Sequence, residues 1–169
     1  MGSKGVRAAI AAYLAPPAIP GLSTVYRGLP VTIVDTDWAI GVDSGWGAGS
    51  YVHLNDRVES RVAMGGEHGG IKRVDYQCAL VVFFRWRYTD HGPDNVTDGW
   101  TDAFDGLIDD LVERIRGDRT FGCGSSGPIW QAGEGEQDVR VQVDAPHEDS
   151  GQVVVWAALE FEVTEMVTT

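Results

Sequence analysis

The stretch Val74–Tyr88, VDYQCALVVFFRWRY, leaves few options for the rest of the chain. One alternating face carries Tyr76, Cys78, Leu80, Val82, Phe84 and Trp86. The other has Ala79, Val81 and Phe83 at its centre, then Arg85 and Arg87. A run that is apolar on both faces at mid-length reads as an interior strand covered on both sides. A helix also buries apolar runs, but Val81, Val82, Phe83 and Phe84 in succession favour the pleated state, where β-branched and aromatic side chains pack well. Such a strand needs paired neighbours and a covering layer.

The covering layer is expected about ten residues later. From about Asp98 to Arg116, Trp100, Phe104, Leu107, Ile108, Leu111, Val112 and Ile115 recur at spacings of three and four, a continuous apolar stripe. Asp98 and Asp102 lie in the first turns and Arg114 and Arg116 in the last, matching the helix dipole. Gly117 is a natural stop. Asp105, Asp109, Asp110 and Glu113 lie off the stripe and read as a solvated face.

Before the central strand, Ser3 is placed to cap a short helix over Gly5–Leu14, which Pro16 and Pro17 end. Ala18–Pro30 reads as an extended connection, Val31–Val34 as a short strand, and Asp35–Ser50 as a loop enclosing a strand near Trp38–Val42. Tyr51–Met64 alternates, with Val52, Leu54, Val58, Val62 and Met64 expected inward and His53, Asn55, Arg57, Glu59 and Arg61 outward. Asp56 and Ser60 fall on the apolar side, which leaves room for a bulge or bend. Gly65–Gly70 reads as a hairpin tip and Thr89–Thr97 as a polar turn region. After the helix, Gln137–Asp144 is expected as a strand with Val139, Val141 and Val143 on one face, Ala145–Gly151 as a turn, and Gln152–Val167 as the last long strand. In that strand Val153, Val155, Ala157, Leu159, Phe161 and Val163 point inward, against Glu160, Glu162 and Thr164. The expectation is a single α+β domain over residues 1–169: a mostly antiparallel β-sheet with one long amphipathic helix and a short N-terminal helix packed on it.

Composition narrows the function classes. A net charge of −12 argues against gripping the outside of DNA, where lysine and arginine must neutralise phosphates. The charge is uneven: no acid precedes Asp35, so Lys4, Arg7 and Arg27 stand unopposed, whereas residues 89–119 hold nine acids against Arg114, Arg116 and Arg119. That division is read either as a solubilising surface or as a basic arm that meets an acidic face on a neighbouring copy. Cys78 and Cys123 read as free thiols of a reducing compartment. Val6–Leu14 is too short and alanine-rich for a signal peptide, and no apolar run suffices to span a membrane.

Catalytic motifs are thin. Gly122–Gly127 spells G-x-G-x-x-G, but it follows a helix instead of joining a strand to a helix N-terminus, so no dinucleotide cofactor is expected. His53, His68, His91 and His147 lie too far apart for a helical ligand pair, and Asp90, His91 and Asp94 fit a polar turn as well as a metal site. Cys123 comes after a helix C-terminus, whose dipole opposes a thiolate. No metal, cofactor or catalytic residue is expected. The glycine-rich segments 43–50, 65–70 and 122–135, with the bulky groups Trp46, His68 and Trp130, are of the kind ordered by a partner.

Three stretches carry a family resemblance: the opening VRAAIAAYLAPPAIPGLSTVY, the helix WTDAFDGLIDDLVERIRGDRTF, and the closing strand VVVWAALEFEVTEM. Together they resemble the tail terminator, or tail-completion, proteins of long-tailed bacteriophages. The resemblance implies an α+β subunit that assembles as a homohexameric ring on the head-proximal end of the tail tube. It also implies arrest of tube polymerisation and a surface for the head–tail connector protein. The location implied is the virion, after assembly in the host cytoplasm, with genomic DNA only passing through the lumen. An acidic lumen suits that passage by like-charge repulsion. Candidate subunit or partner contacts are Lys4, Arg7, Arg27, Trp46, His68 and Trp130. The alternatives are another neck or head-closure subunit, or a small enzyme or ligand-binding domain using Cys123 or the His91 turn.

Overall fold

The computed structural model describes residues 2–33, 45–63, 70–87, 99–124, 127, 129, 131–132, 139–148 and 152–168. Its order is α1 (Ser3–Leu14), β1 (Leu22–Tyr26), β2 (Trp46–Ala63), β3 (Ile71–Arg87), α2 (Gly99–Gly117), β4 (Gln131–Ala132), β5 (Arg140–Val143), β6 (His147–Glu148) and β7 (Gln152–Thr168). This is an α+β fold built on a mixed, mostly antiparallel sheet. β3 lies between β2 and β7, antiparallel to both; β1 adds parallel to β2, and β4, β5 and β6 follow one another along the far edge of β7.

The central strand is interior, as its sequence requires. Tyr76, Cys78, Leu80, Val82 and Phe84 form one buried face together with Val155, Ala157, Leu159, Phe161 and Val163 of β7. Both helices cover that face: Val6, Ile10 and Leu14 from α1, and Phe104, Leu107, Leu111 and Ile115 from α2, belong to the same core. Phe84 packs between Trp46 and Phe104, each with its ring centroid 5.4 Å away. The helices meet where the Tyr13 hydroxyl donates to the Arg114 carbonyl at 3.1 Å and the Arg114 guanidinium lies 3.9 Å from the Tyr13 ring centroid. On the opposite face, among the described residues, Tyr26, Ile33, Tyr51 and Trp156 pack around Phe83 and Val154 at one end. Farther along, that face turns polar: Gln77 donates to Glu162 at 2.8 Å and Gln142 to Glu160 at 3.1 Å.

Several expectations need correction. Ser3 does not cap α1; it is the first helical residue, Gly2 occupies the cap, and the Gly2 carbonyl accepts from the Gly5 amide at 2.8 Å. Ala15 then takes an extended conformation ahead of Pro16, as the residue before a proline must. Ala18–Pro30 contains a true strand, because Leu22 is buried against Ala48 and the Ser23 hydroxyl donates to the Ala48 carbonyl at 2.7 Å. Residues 31–33 form no strand. The start of the supposed loop Asp35–Ser50 lies outside the described residues, as does the strand near Trp38–Val42, but Trp46–Ser50 is already β2. Gly49 serves close packing, since a Cβ there would overlap the Phe83 ring, and Gly21, just before β1 at φ 79°, makes room for Trp46 in the same way. β4 interrupts the glycine-rich region after α2, and β6 falls inside the expected turn Ala145–Gly151. The hairpin tip at 65–69 and the turn at 89–97 lie outside the described residues.

The largest difference concerns the face assignment of β2. Leu54 pairs with Cys78 but Asp56 with Gln77, so Asn55 is an extra residue and the phase inverts beyond it. Before the bulge Val52 is buried at 0% exposure; after it Val58 and Val62 are 55% and 56% exposed. Arg57 moves to the helix side, its guanidinium 5.9 Å from the Tyr76 ring centroid, and it pairs with Glu59. We expect Val58→Lys to change stability by no more than about 0.5 kcal/mol, as exposed substitutions do. Val52→Lys would bury an unpaired charge and abolish cooperative unfolding in urea. Equal losses from the two substitutions would refute the inversion.

Candidate assembly surfaces

Among the described residues no group of three or more His, Cys, Asp or Glu side chains is placed to hold a metal ion. Cys78 is buried under the helices, which pushes its thiol up to about 12. Cys123 is half-buried with its Sγ 3.7 Å from the Phe121 carbonyl; burial first, and the nearby Asp118 carboxylate, raise its pKa and oppose thiolate formation. The start of the Gly122–Gly127 stretch belongs to a turn after α2, held by Asp118, which accepts from the Thr120 amide at 2.8 Å and the Gly122 amide at 2.9 Å; residues 125 and 126 lie outside the described residues. Those bonds, led by that of the Thr120 hydroxyl, hold the Asp118 carboxyl below its usual range. This arrangement stabilises a helix end.

The candidate contact residues separate into three groups. His68 and Trp130, with His91, Asp90 and Asp94, lie outside the described residues. Trp46 is half-buried and engaged by the protein's own core through Phe84 and the Gly21 backbone. Lys4, Arg7 and Arg27 form the third group. Lys4 and Arg27 are exposed, Arg7 is half-buried, and none is in an ion pair among the described residues. The fold brings Arg7 beside the loop that begins at Arg27: its Nη1 would lie 3.8 Å from a Cβ placed on Gly28.

In sequence that loop is only a connection; in the fold it is held at both ends. Tyr26 and Ile33 both pack into the cluster around Phe83, so residues 27–32 are pinned at both ends. Between the pins Leu29 is 72% exposed and Val31 fully exposed. Apolar side chains on a tethered loop held out to water mark a contact more often than isolated surface leucines do. The only signal in the sequence is the Pro30 that separates them.

The acidic counterpart lies on α2. Asp102, Asp105, Asp109 and Glu113 recur at helical spacing on its exposed side, flanked by Asp110, and none is in an ion pair among the described residues. Between α2 and the turn after α1 lies an open groove of about 470 Å³, floored by Tyr13, Ile19 and Pro20 and bordered by Asp110, Glu113 and Arg114. No described helix is long and apolar enough to cross a membrane. No protein-family model and no curated protein matches the chain.

Proposed function

We propose that this protein is a virion structural subunit, a tail terminator. It would form a ring on the head-proximal end of a phage tail tube, stop further polymerisation and give the head–tail connector its docking surface. The mechanism is steric, with no catalysis: the ring hides the surface that the next tube ring would use. The observation that carries this reading is the separation onto different elements of charge that is unpaired among the described residues. A basic edge comprises Lys4, Arg7 and Arg27, and an acidic side of α2 runs from Asp102 to Glu113. Two dissimilar, complementary patches make a heterologous contact, which generates a ring when its rotation closes. The resemblance of the first helix, α2 and β7 to terminator sequences supports the same reading. So does the net charge of −12, which suits a passage through which DNA slides without being held.

Purified protein added to its polymerising cognate tail-tube protein, viewed by electron microscopy, tests this directly. Short tubes of narrow length distribution, each with a ring at one end, are expected. Tubes of unregulated length with no terminal density would overturn the proposal.

A further inference from the structure

We propose that the loop 27–32 of one copy seats in the groove between α2 and the turn after α1 of the next copy. This deepens the terminator reading and rests on it only in requiring that copies associate. The loop offers what the groove lacks. Leu29 and Val31 are exposed apolar groups on a pinned loop, and the exposed Ala18 and Pro20, beside the half-buried Tyr13, give the groove an apolar side open to solvent. Among the described residues, Arg27 is an exposed cation outside any ion pair, and Asp110 and Glu113 are exposed anions outside any ion pair on the groove's rim. The remaining charge at the rim, Arg114, is turned toward α1, where its Nη2 donates to the Tyr13 carbonyl at 3.3 Å. It therefore leaves the two carboxylates as the charges an incoming arginine meets.

The chemistry selects the occupant. An acidic partner would be repelled by Asp110 and Glu113, and a purely apolar one would leave both carboxylates without a counter-charge. A segment with one arginine followed by spaced apolar residues satisfies rim and floor together, and this chain carries such a segment exposed. Pinning at Tyr26 and Ile33, with Pro30 between the apolar pair, reduces the ordering entropy lost on seating. Loop and groove are different surfaces, so each copy uses both, loop forward and groove behind, and the contact propagates around a ring.

A charge-swap experiment tests the contact with protein alone, by native mass spectrometry and sedimentation. Arg27→Glu sets an anion against the acidic rim, and Asp110→Lys with Glu113→Lys sets a cation against Arg27. Each variant is expected to weaken self-association about tenfold or more, the scale of reversing a close interfacial charge pair. All three positions are exposed, so at concentrations low enough to dissociate the wild type, thermal unfolding of each variant should stay at the wild-type midpoint. An equimolar mixture of the two variants is expected to regain assembly, because both alternating contacts then pair opposite charges. Assembly indifferent to every swap would overturn this contact while leaving tube capping to its own assay. Two weakened variants that fail to rescue each other would overturn it too, as would a wild type that stays monomeric at high concentration.

Discussion

Phe84→Ala is expected to lower stability by about 3–5 kcal/mol, the range for emptying a large aromatic site in a packed core. Phe84 has no exposed surface, and its ring packs against Trp46 on one side and Phe104 on the other. It therefore joins three elements: β2 through Trp46, β3 itself, and α2 through Phe104. Truncation leaves a cavity lined by rings whose own partners hold them in place, so little collapse relieves the loss. Phe83 is the informative control, adjacent in sequence and also without exposed surface. It faces the other way, into the small cluster of Tyr26, Ile33, Tyr51, Val154 and Trp156, where most members are only partly buried. Neighbours at the surface can relax and water can enter, so Phe83→Ala should cost about half as much, at the low end of the large-to-small range. Urea unfolding of both variants measures the difference. Equal costs would mean that the second face carries as much of the stability as the helix-covered one.

That contrast separates what the sequence makes legible from what it hides. The central strand, the helix after it and the last strand are legible because each carries its apolar residues at one unbroken period. The covering of β3 on both sides was only partly legible: among the described residues Phe83 is buried by a small cluster drawn from β1, β2, β7 and the loop after β1, which contains no helical residue. β1 stayed hidden because five residues between prolines show no period, and its parallel pairing with β2 is a long-range choice. The start of β2 stayed hidden because Gly47 and Gly49 look like loop, and the ring that Gly49 accommodates belongs to another strand. Asp56 and Ser60 on the apolar side hint at a bulge, but the phase inversion at Asn55 stays hidden because Val58 and Val62 continue the apolar pattern on a stretch that has left the core. The basic group Lys4, Arg7 and Arg27 was legible as an excess of one sign. The pinned loop carrying Leu29 and Val31 was not, because its pins meet only in the folded sheet.

The second large effect concerns Glu165, a carboxylate that is 2% exposed and occupies an inward position of β7. It accepts from the Tyr76 hydroxyl at 2.9 Å and from the Gly2 amide at 3.1 Å, so it ties the start of α1 to the ends of two long strands. Burial works against its charged form, and the hydrogen bonds at its carboxylate outweigh that cost and hold its pKa below the ordinary value of 4.5. A depressed folded-state pKa gives stability that is fully present above the unfolded value and is lost as pH falls through the folded one. The protein should therefore weaken as pH drops below about 4.5, with Asp75 adding to the same trend. Burial again opposes the charge at Asp75, and hydrogen bonds from Arg73 and Thr164 prevail. Tyr76 supplies the alkaline limb. Burial first, and then the bond to Glu165, push its hydroxyl from 10.0 up to about 12, so stability present below pH 10 is lost as pH rises through that interval. Glu165→Leu leaves the buried Tyr76 hydroxyl and the part-buried Gly2 amide without this acceptor, at about 1–3 kcal/mol for the hydroxyl and less for the amide. Glu165→Gln keeps an acceptor oxygen and removes the charge, so it should cost less at neutral pH and flatten the acid limb of the unfolding profile. Thermal midpoints of wild type and both variants from pH 3 to 7 distinguish these outcomes. An acid limb unchanged in Glu165→Gln would assign the acid sensitivity to other carboxylates and leave Glu165 a purely neutral anchor for α1.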